Sequence, residues 1–137
     1  MRISSKGQYA LQLMLDLAQN RQEGFIALAA TAKRKDISKK YLEQVVPALT
    51  KAGLIQANRG VQGGYKLLRR PEQYTLADIF KAAEPALFAV NPTDAQTAYL
   101  SCVWQGLEKS IEDYLSSLTL QDILQKQLAF SADNYVI

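Results

Sequence analysis

Leu11, Met14, Leu15 and Ala18 recur at helical spacing, and Leu13 and Leu17 widen their stripe until it covers much of the surface. Such a pattern predicts a buried scaffold helix over about residues 6–20, with Ser5 as its N-cap and Gln8 three residues on. Asn20 to Gly24 breaks it, and the alanine-rich run Leu28 to Lys35 follows as a short second helix. Asp36-Ile37-Ser38 then reads as a turn, with Ile37 plugged into the core and Ser38 capping the next helix. That third helix, about 39–51, buries Leu42, Val45, Val46 and Leu49, which leaves Lys39, Lys40, Glu43 and Gln44 mostly opposite, near its start. Pro47 removes the hydrogen bond to the Glu43 carbonyl and predicts a bend or local break.

Gly53 reads as a left-handed C-cap. Leu54 to Asn58 and Tyr65 to Leu68 alternate as two strands around a tip that holds Arg59, Gly60, Gln62, Gly63 and Gly64. Three glycines in five residues predict positive φ angles and close backbone approach at that tip. Thr75 to Asp78 is a further capped start, with Ile79, Phe80 and Ala83 on its core face. Residues 85–98, with two prolines, form a loop. Beyond it Leu100, Trp104, Leu107, Ile111, Tyr114 and Leu118 recur at spacings 4, 3, 4, 3, 4, a heptad seam over about 19 residues. One domain of this size covers so long a stripe poorly, and a second copy of the chain is the simplest cover, with packing on the winged helix as the alternative. Thr119 to Asp122 starts a short last helix carrying Ile123, Leu124 and Leu128, and residues 130–137 form a tail without periodicity.

The fold expected is therefore mainly α: a winged helix-turn-helix with a small β-hairpin wing over residues 1–84, then the 85–98 loop, then a long dimerisation helix with a short terminal helix over 99–129. Charge sharpens this division. Residues 1–80 hold 13 Lys and Arg against 6 Asp and Glu, whereas residues 81–137 hold 3 against 7. A basic first part suits a polyanion, because every phosphate contact releases condensed counterions. Lys39 and Lys40 are candidates to hold phosphates, Glu43 to accept from cytosine N4 and Gln44 to pair with adenine, all at the helix start that enters a major groove. Arg59 at a glycine-rich tip suits a narrow minor groove. Arg2, Ser4 and Lys6 stand at or before the first helix's N-terminus and are candidates for one more phosphate clamp, with ordinary capping as the alternative.

Other chemistries find little footing. Without histidine the chain lacks the usual general base, and nothing resembles a nucleophile–base pair, so an enzyme is the weakest reading. The lone Cys102 excludes an internal disulfide; it reads as a small core residue in an apolar helix, with a redox switch as the alternative. No apolar run approaches the roughly 18–20 residues of a membrane span, and the start MRISSKGQYA has no signal-peptide stretch, so a cytoplasmic location without membrane contact is expected.

The opening RISSKGQYALQLMLDLA, the IS-KKYLEQ segment and KAGLI with RGVQGGYKL together resemble the Rrf-two family of bacterial winged-helix regulators. The likeness is close over about residues 1–84 and resumes from Val103-Trp104 to Ile123. It implies a homodimer on double-stranded DNA with a partly palindromic operator, usually as a repressor and sometimes as an activator. It assigns Ser38, Tyr41, Glu43 and Gln44 to the recognition helix, and Arg59 with Gly60 to the wing tip. Cluster-bearing members place three cysteines in the loop before the dimerisation helix, and residues 85–99 here have neither cysteine nor histidine. A member without cluster or other cofactor is implied, answering to a small-molecule or protein effector or to none. The competing reading is a protein-interaction or small-molecule-sensing module that keeps the fold with little DNA binding.

Overall fold

The computed structural model describes residues 2–61, 63–89 and 91–135. The expectations for Gln62 at the wing tip, Val90 in the loop and the end of the tail fall outside them.

Helix α1 (Ser5–Gln19) is the centre of the fold and buries Ala10, Leu13, Met14 and Leu17 almost completely. Its N-cap is Ser4, one residue before the expected Ser5. The Ser4 hydroxyl accepts from the Gly7 N–H at 3.3 Å, and Gln8 Nε2 donates back to the Ile3 carbonyl at 2.9 Å. A Cβ on Gly7 would stand 2.9 Å from Glu84 Oε2 and 3.3 Å from the Phe80 ring, so a larger residue in this first turn would push the Glu84 carboxylate aside.

Helix α2 (Leu28–Lys35) ends at Asp36, whose left-handed φ of 53° turns the chain into helix α3 (Lys39–Lys51). α3 buries Leu42, Val45, Val46 and Leu49 as its spacing requires. It also runs unbroken through Pro47, so of the expected bend or local break the break does not occur. Pro47 and Glu43 both lie on the exposed side, where water can take up the carbonyl that the ring leaves unbonded, while four buried side chains hold the other face. The helix closes as a Schellman motif: Gly53 at φ 73° donates to the Thr50 carbonyl and Leu54 to the Leu49 carbonyl, each at 3.0 Å.

Strands β1 (Ile55–Asn58) and β2 (Gly64–Leu67) pair antiparallel, with Ile55 opposite Leu67 and Asn58 opposite Gly64. On its other edge β2 exchanges two backbone bonds between Tyr65 and Ile26, at 2.8 and 2.9 Å, which ties the wing to the segment before α2. This explains Gly64 differently from the sequence. Neither Gly60 nor Gly64 adopts a positive φ; instead a Cβ on Gly64 would meet the Ile26 carbonyl oxygen at 2.4 Å. Tyr74 fastens the wing's other end. Fully buried, it donates its hydroxyl to the Leu54 carbonyl and accepts from the N–H groups of Leu68 and Arg69.

Helix α4 (Leu76–Ala83) carries the expected capping box between Thr75 and Asp78. The following loop contains two short 3₁₀ turns, Pro85–Phe88 and Ala98–Leu100, before helix α5 (Ser101–Ser116). The seam thus overruns its helix at Leu118, whose carbonyl accepts from Leu76 N–H while Leu120 N–H donates to the Tyr74 carbonyl. That short pairing docks helix α6 (Leu120–Tyr135), with Leu120 and Leu124 buried. α6 includes most of the segment expected to be a tail. Its last turns are exposed and hold no glycine or proline to stop the helix, and no apolar stripe marks them in the sequence.

Candidate DNA-binding surface

One face of α3 is spent on the core, and the other is left to solvent. Ser38, Lys39, Lys40, Tyr41, Glu43 and Gln44 are all exposed. Ser38 stands at the N-cap with its hydroxyl bonded to no helix N–H. Lys39 Nζ lies 3.9 Å from Glu43 Oε1, an exposed pair one turn apart and therefore weak. Tyr41 is half exposed and stacks on Tyr9 of α1, with ring centroids 5.5 Å apart and planes inclined by 22°. The stack orders an aromatic side chain that the sequence alone leaves free, and Tyr9 had no visible signal for it.

Arg59 and Gly60 are exposed at the end of β1. Between the wing and the second half of α3 the surface dips into a cleft of about 440 Å³, flanked by Thr50, Lys51, Asn58 and Arg59. The sequence reading passed over Thr50, Lys51 and Asn58, because only the fold of the hairpin back along the helix brings them together.

The candidate clamp at the start of α1 divides. Arg2 and Lys6 are exposed, but Ser4 is engaged: its N–H donates to Glu84 Oε1 at 3.0 Å and its hydroxyl donates to Glu84 Oε2. A carboxylate of the protein itself thus occupies the position where a helix N-terminus favours an anion. Ser4 therefore serves as a cap tied to α4.

The angle between α1 and α2 is fixed by a buried charge. Asp16, 1% exposed, accepts two bonds from Arg34 at 2.8 Å each, one from Thr31 at 2.6 Å and one from Asn20 at 3.2 Å. Burial pushes the Asp16 carboxyl up, but the hydrogen bonds from Arg34 and Thr31 and the charge of Arg34 outweigh it and hold the group below the usual carboxylate range.

The seam residues are distributed unevenly. Leu107 and Tyr114 are exposed at 55% and 65%, whereas Leu100, Trp104, Ile111 and Leu118 are half-buried. Ile111 and Tyr114 border an apolar cleft of about 330 Å³ with Ile3, Phe80 and Leu87. Cys102, expected in the core, is exposed near the start of α5, with Sγ 3.6 Å from the Tyr99 carbonyl oxygen. None of the described residues in the first turn of α5 is buried, and the thiol is open to solvent with them.

Residues 3–126 match the Rrf2 family model, described as iron-dependent transcriptional regulators. The chain belongs to the Rrf2 family. CymR of Bacillus subtilis, a helix-turn-helix transcriptional regulator, is 34% identical over 123 residues, 90% of this chain and 89% of its own. The solved structure of CymR, the global cysteine regulator of that organism, matches with a TM-score of 0.79 over 92% of this chain and 98% of its own, at 32% identity. The structure of T. potens IscR matches with a TM-score of 0.76 at 39% identity, over 93% of this chain and 88% of its own. This Rrf2 protein is accordingly a winged-helix, DNA-binding regulator of transcription.

The family's iron is a separate matter, and the donor set does not fit it. An iron–sulfur cluster needs four ligands, ordinarily thiolates. The chain has one cysteine and no histidine, and no group of three or more His, Cys, Asp or Glu side chains that could hold a metal ion comes together among the described residues. Those residues also include no helix long and apolar enough to cross a membrane.

Proposed function

We propose that this Rrf2 protein acts in the cytoplasm as a homodimeric repressor without an iron–sulfur cluster, on a partly palindromic operator in double-stranded DNA. The N-terminal turns of α3 enter the major groove, where Glu43 and Gln44 read base edges, Ser38 and Tyr41 make polar contacts, and Lys39 and Lys40 hold phosphates. Arg59 and Gly60 bring the wing to the adjacent minor groove, and Arg2 and Lys6 add positive charge beside the start of α1. The seam on α5 supplies the second copy and so the second half-site, and an effector, a small molecule or a protein, acts on the dimer.

The observation that carries this reading is the division of α3. Its apolar face is fully buried, yet its whole polar face near the N-terminus stays exposed. A polar face is common to surface helices; this one presents Lys39, Lys40, Glu43 and Gln44, side chains that can bond phosphates and base edges. Selection of bound duplexes from a random library tests it. Wild type should enrich a partly palindromic sequence. Arg59→Ala should weaken binding to that sequence roughly tenfold, about 1.4 kcal/mol, with the dimer intact. Glu43→Ala should change the enriched bases more than the affinity, because a carboxylate near phosphates helps only beside the right base. Unchanged affinity in Arg59→Ala removes the wing from this scheme.

A further inference from the structure

A protein that puts a helix into one groove and a hairpin into the next must straddle the sugar–phosphate ridge between the two. Major and minor grooves are about 12 and 6 Å wide, and what separates them is a single backbone strand with one negative charge at every phosphate. The surface between the two inserted elements is therefore the place where that strand lies.

Here that surface is the 440 Å³ cleft between α3 and the wing. It is lined by the apolar Pro47 and by Tyr65, and by polar side chains from both elements: Thr50 and Lys51 from the last turn of α3, Asn58 and Arg59 from the end of β1 and just beyond it. No acidic residue borders it among the described residues. Lys51 and Thr50 are exposed, and Lys51 enters none of the ion pairs present among those residues. Gly64 lies in the same cleft. A Cβ there would collide with the Ile26 carbonyl, so glycine keeps the hairpin close to the body and fixes the cleft's inner wall.

We infer that this cleft is a seat for one strand of the DNA backbone, with the Lys51 ammonium and the Thr50 hydroxyl bonding phosphate oxygens on the α3 side and Asn58 on the wing side. The inference rests on the groove assignment proposed above and adds residues outside the recognition turn. Contacts of this kind carry no base information. They set the register of helix and wing together and contribute a salt-dependent part of the affinity.

The test measures binding of a fluorescein-labelled duplex, enriched as above, and of a scrambled duplex of equal length, from 50 to 200 mM salt. Loss of one phosphate contact should reduce the slope of log K against log salt by about 0.9, about eightfold in affinity at 0.1 M salt. Lys51→Gln removes one such contact in each subunit of the dimer and should therefore show about twice that change of slope, equally on both duplexes; Lys51→Arg should restore it, and Thr50→Ala should weaken both duplexes with little change of slope. The alternative role for Lys51, a charge that complements the helix C-terminus, would lower thermal stability and leave the salt slope at the wild-type value. That result, or a loss confined to the enriched duplex, overturns the seat. Wild type that binds neither duplex would instead sink the DNA reading itself, so the two failures are distinct.

Discussion

The winged unit and helix α5 carry apolar residues at comparable spacing, yet they spend them in opposite ways. α1, α3 and α4 each bury at least four side chains in one shared core, while none of the 16 described residues of α5 is fully buried. Val103, Leu107 and Tyr114 remain more than half exposed, although α5 lies against α4, where Leu115 packs on the core and Lys81 pairs with Glu112. Periodicity therefore shows that a stripe will be covered without showing by what. Where neighbouring elements of the chain converge on it, as around Leu13 and Leu49, the cover is internal; where one helix stands at the end of the fold, as α5 does, the stripe stays exposed on the single chain, and the proposed dimer is what would cover it.

The largest effect should come from charging the exposed part of the seam. Leu107→Glu should convert the dimer to a monomer by sedimentation velocity, with the helical circular dichroism of the winged unit retained. Leu107 is a sharper choice than Ile111, because Ile111 shares its cleft with Ile3 and Phe80 and a charge there would also strike the core. A wild type that sediments as a monomer at all concentrations would break the comparison at once, since the α5 stripe would then stand uncovered.

Next in size is the winged unit's own core. Leu49→Ala, at a fully buried position, should cost about 2–5 kcal/mol in urea unfolding. Leu107→Ala should change the unfolding of the isolated subunit by less than about 1 kcal/mol and should act instead on its concentration dependence. Equal losses at the two positions would mean that α5 contributes to the same cooperative core.

What the sequence disclosed follows the same division between local and distant causes. The Schellman end at Gly53, the capping box from Thr75 to Asp78 and the buried face of α3 were legible, because each is set by residues within one or two turns. The polar start of α3 was legible as a surface for the same reason. Features made by distant pairs were not. The Tyr65–Ile26 bonds dictate Gly64, the Glu84 carboxylate claims Ser4, and Tyr74 joins three backbone groups of the wing's base. Pro47 does not break the helix because its penalty falls on the solvent face. The extent of α6 was missed because an exposed helix end without an apolar stripe leaves no periodic trace. The exposed Cys102 reverses an inference drawn from its apolar neighbours, which themselves lie outside the core.

The smallest and most specific effect concerns how the winged unit is closed from within, at Asp16. Asp16→Asn keeps the shape but removes the charge that faces Arg34, and should cost about 1–3 kcal/mol at neutral pH. The pH dependence identifies the cause. The folded-state pKa of Asp16 lies below its unfolded value of about 3.9, so its stabilising contribution is fully present above that value. It is lost as pH falls through the folded-state pKa, where the carboxyl takes up a proton and the bidentate pair with Arg34 loses its charge. The stability difference between wild type and Asp16→Asn should therefore stay constant from neutral pH down to about pH 5 and shrink below pH 4. Urea unfolding at a series of pH values reads this directly. A difference that persists unchanged to pH 3 would assign the loss to packing or hydrogen-bond geometry. The α1–α2 angle, and with it the setting of α3, would then depend on shape and not on a buried charge.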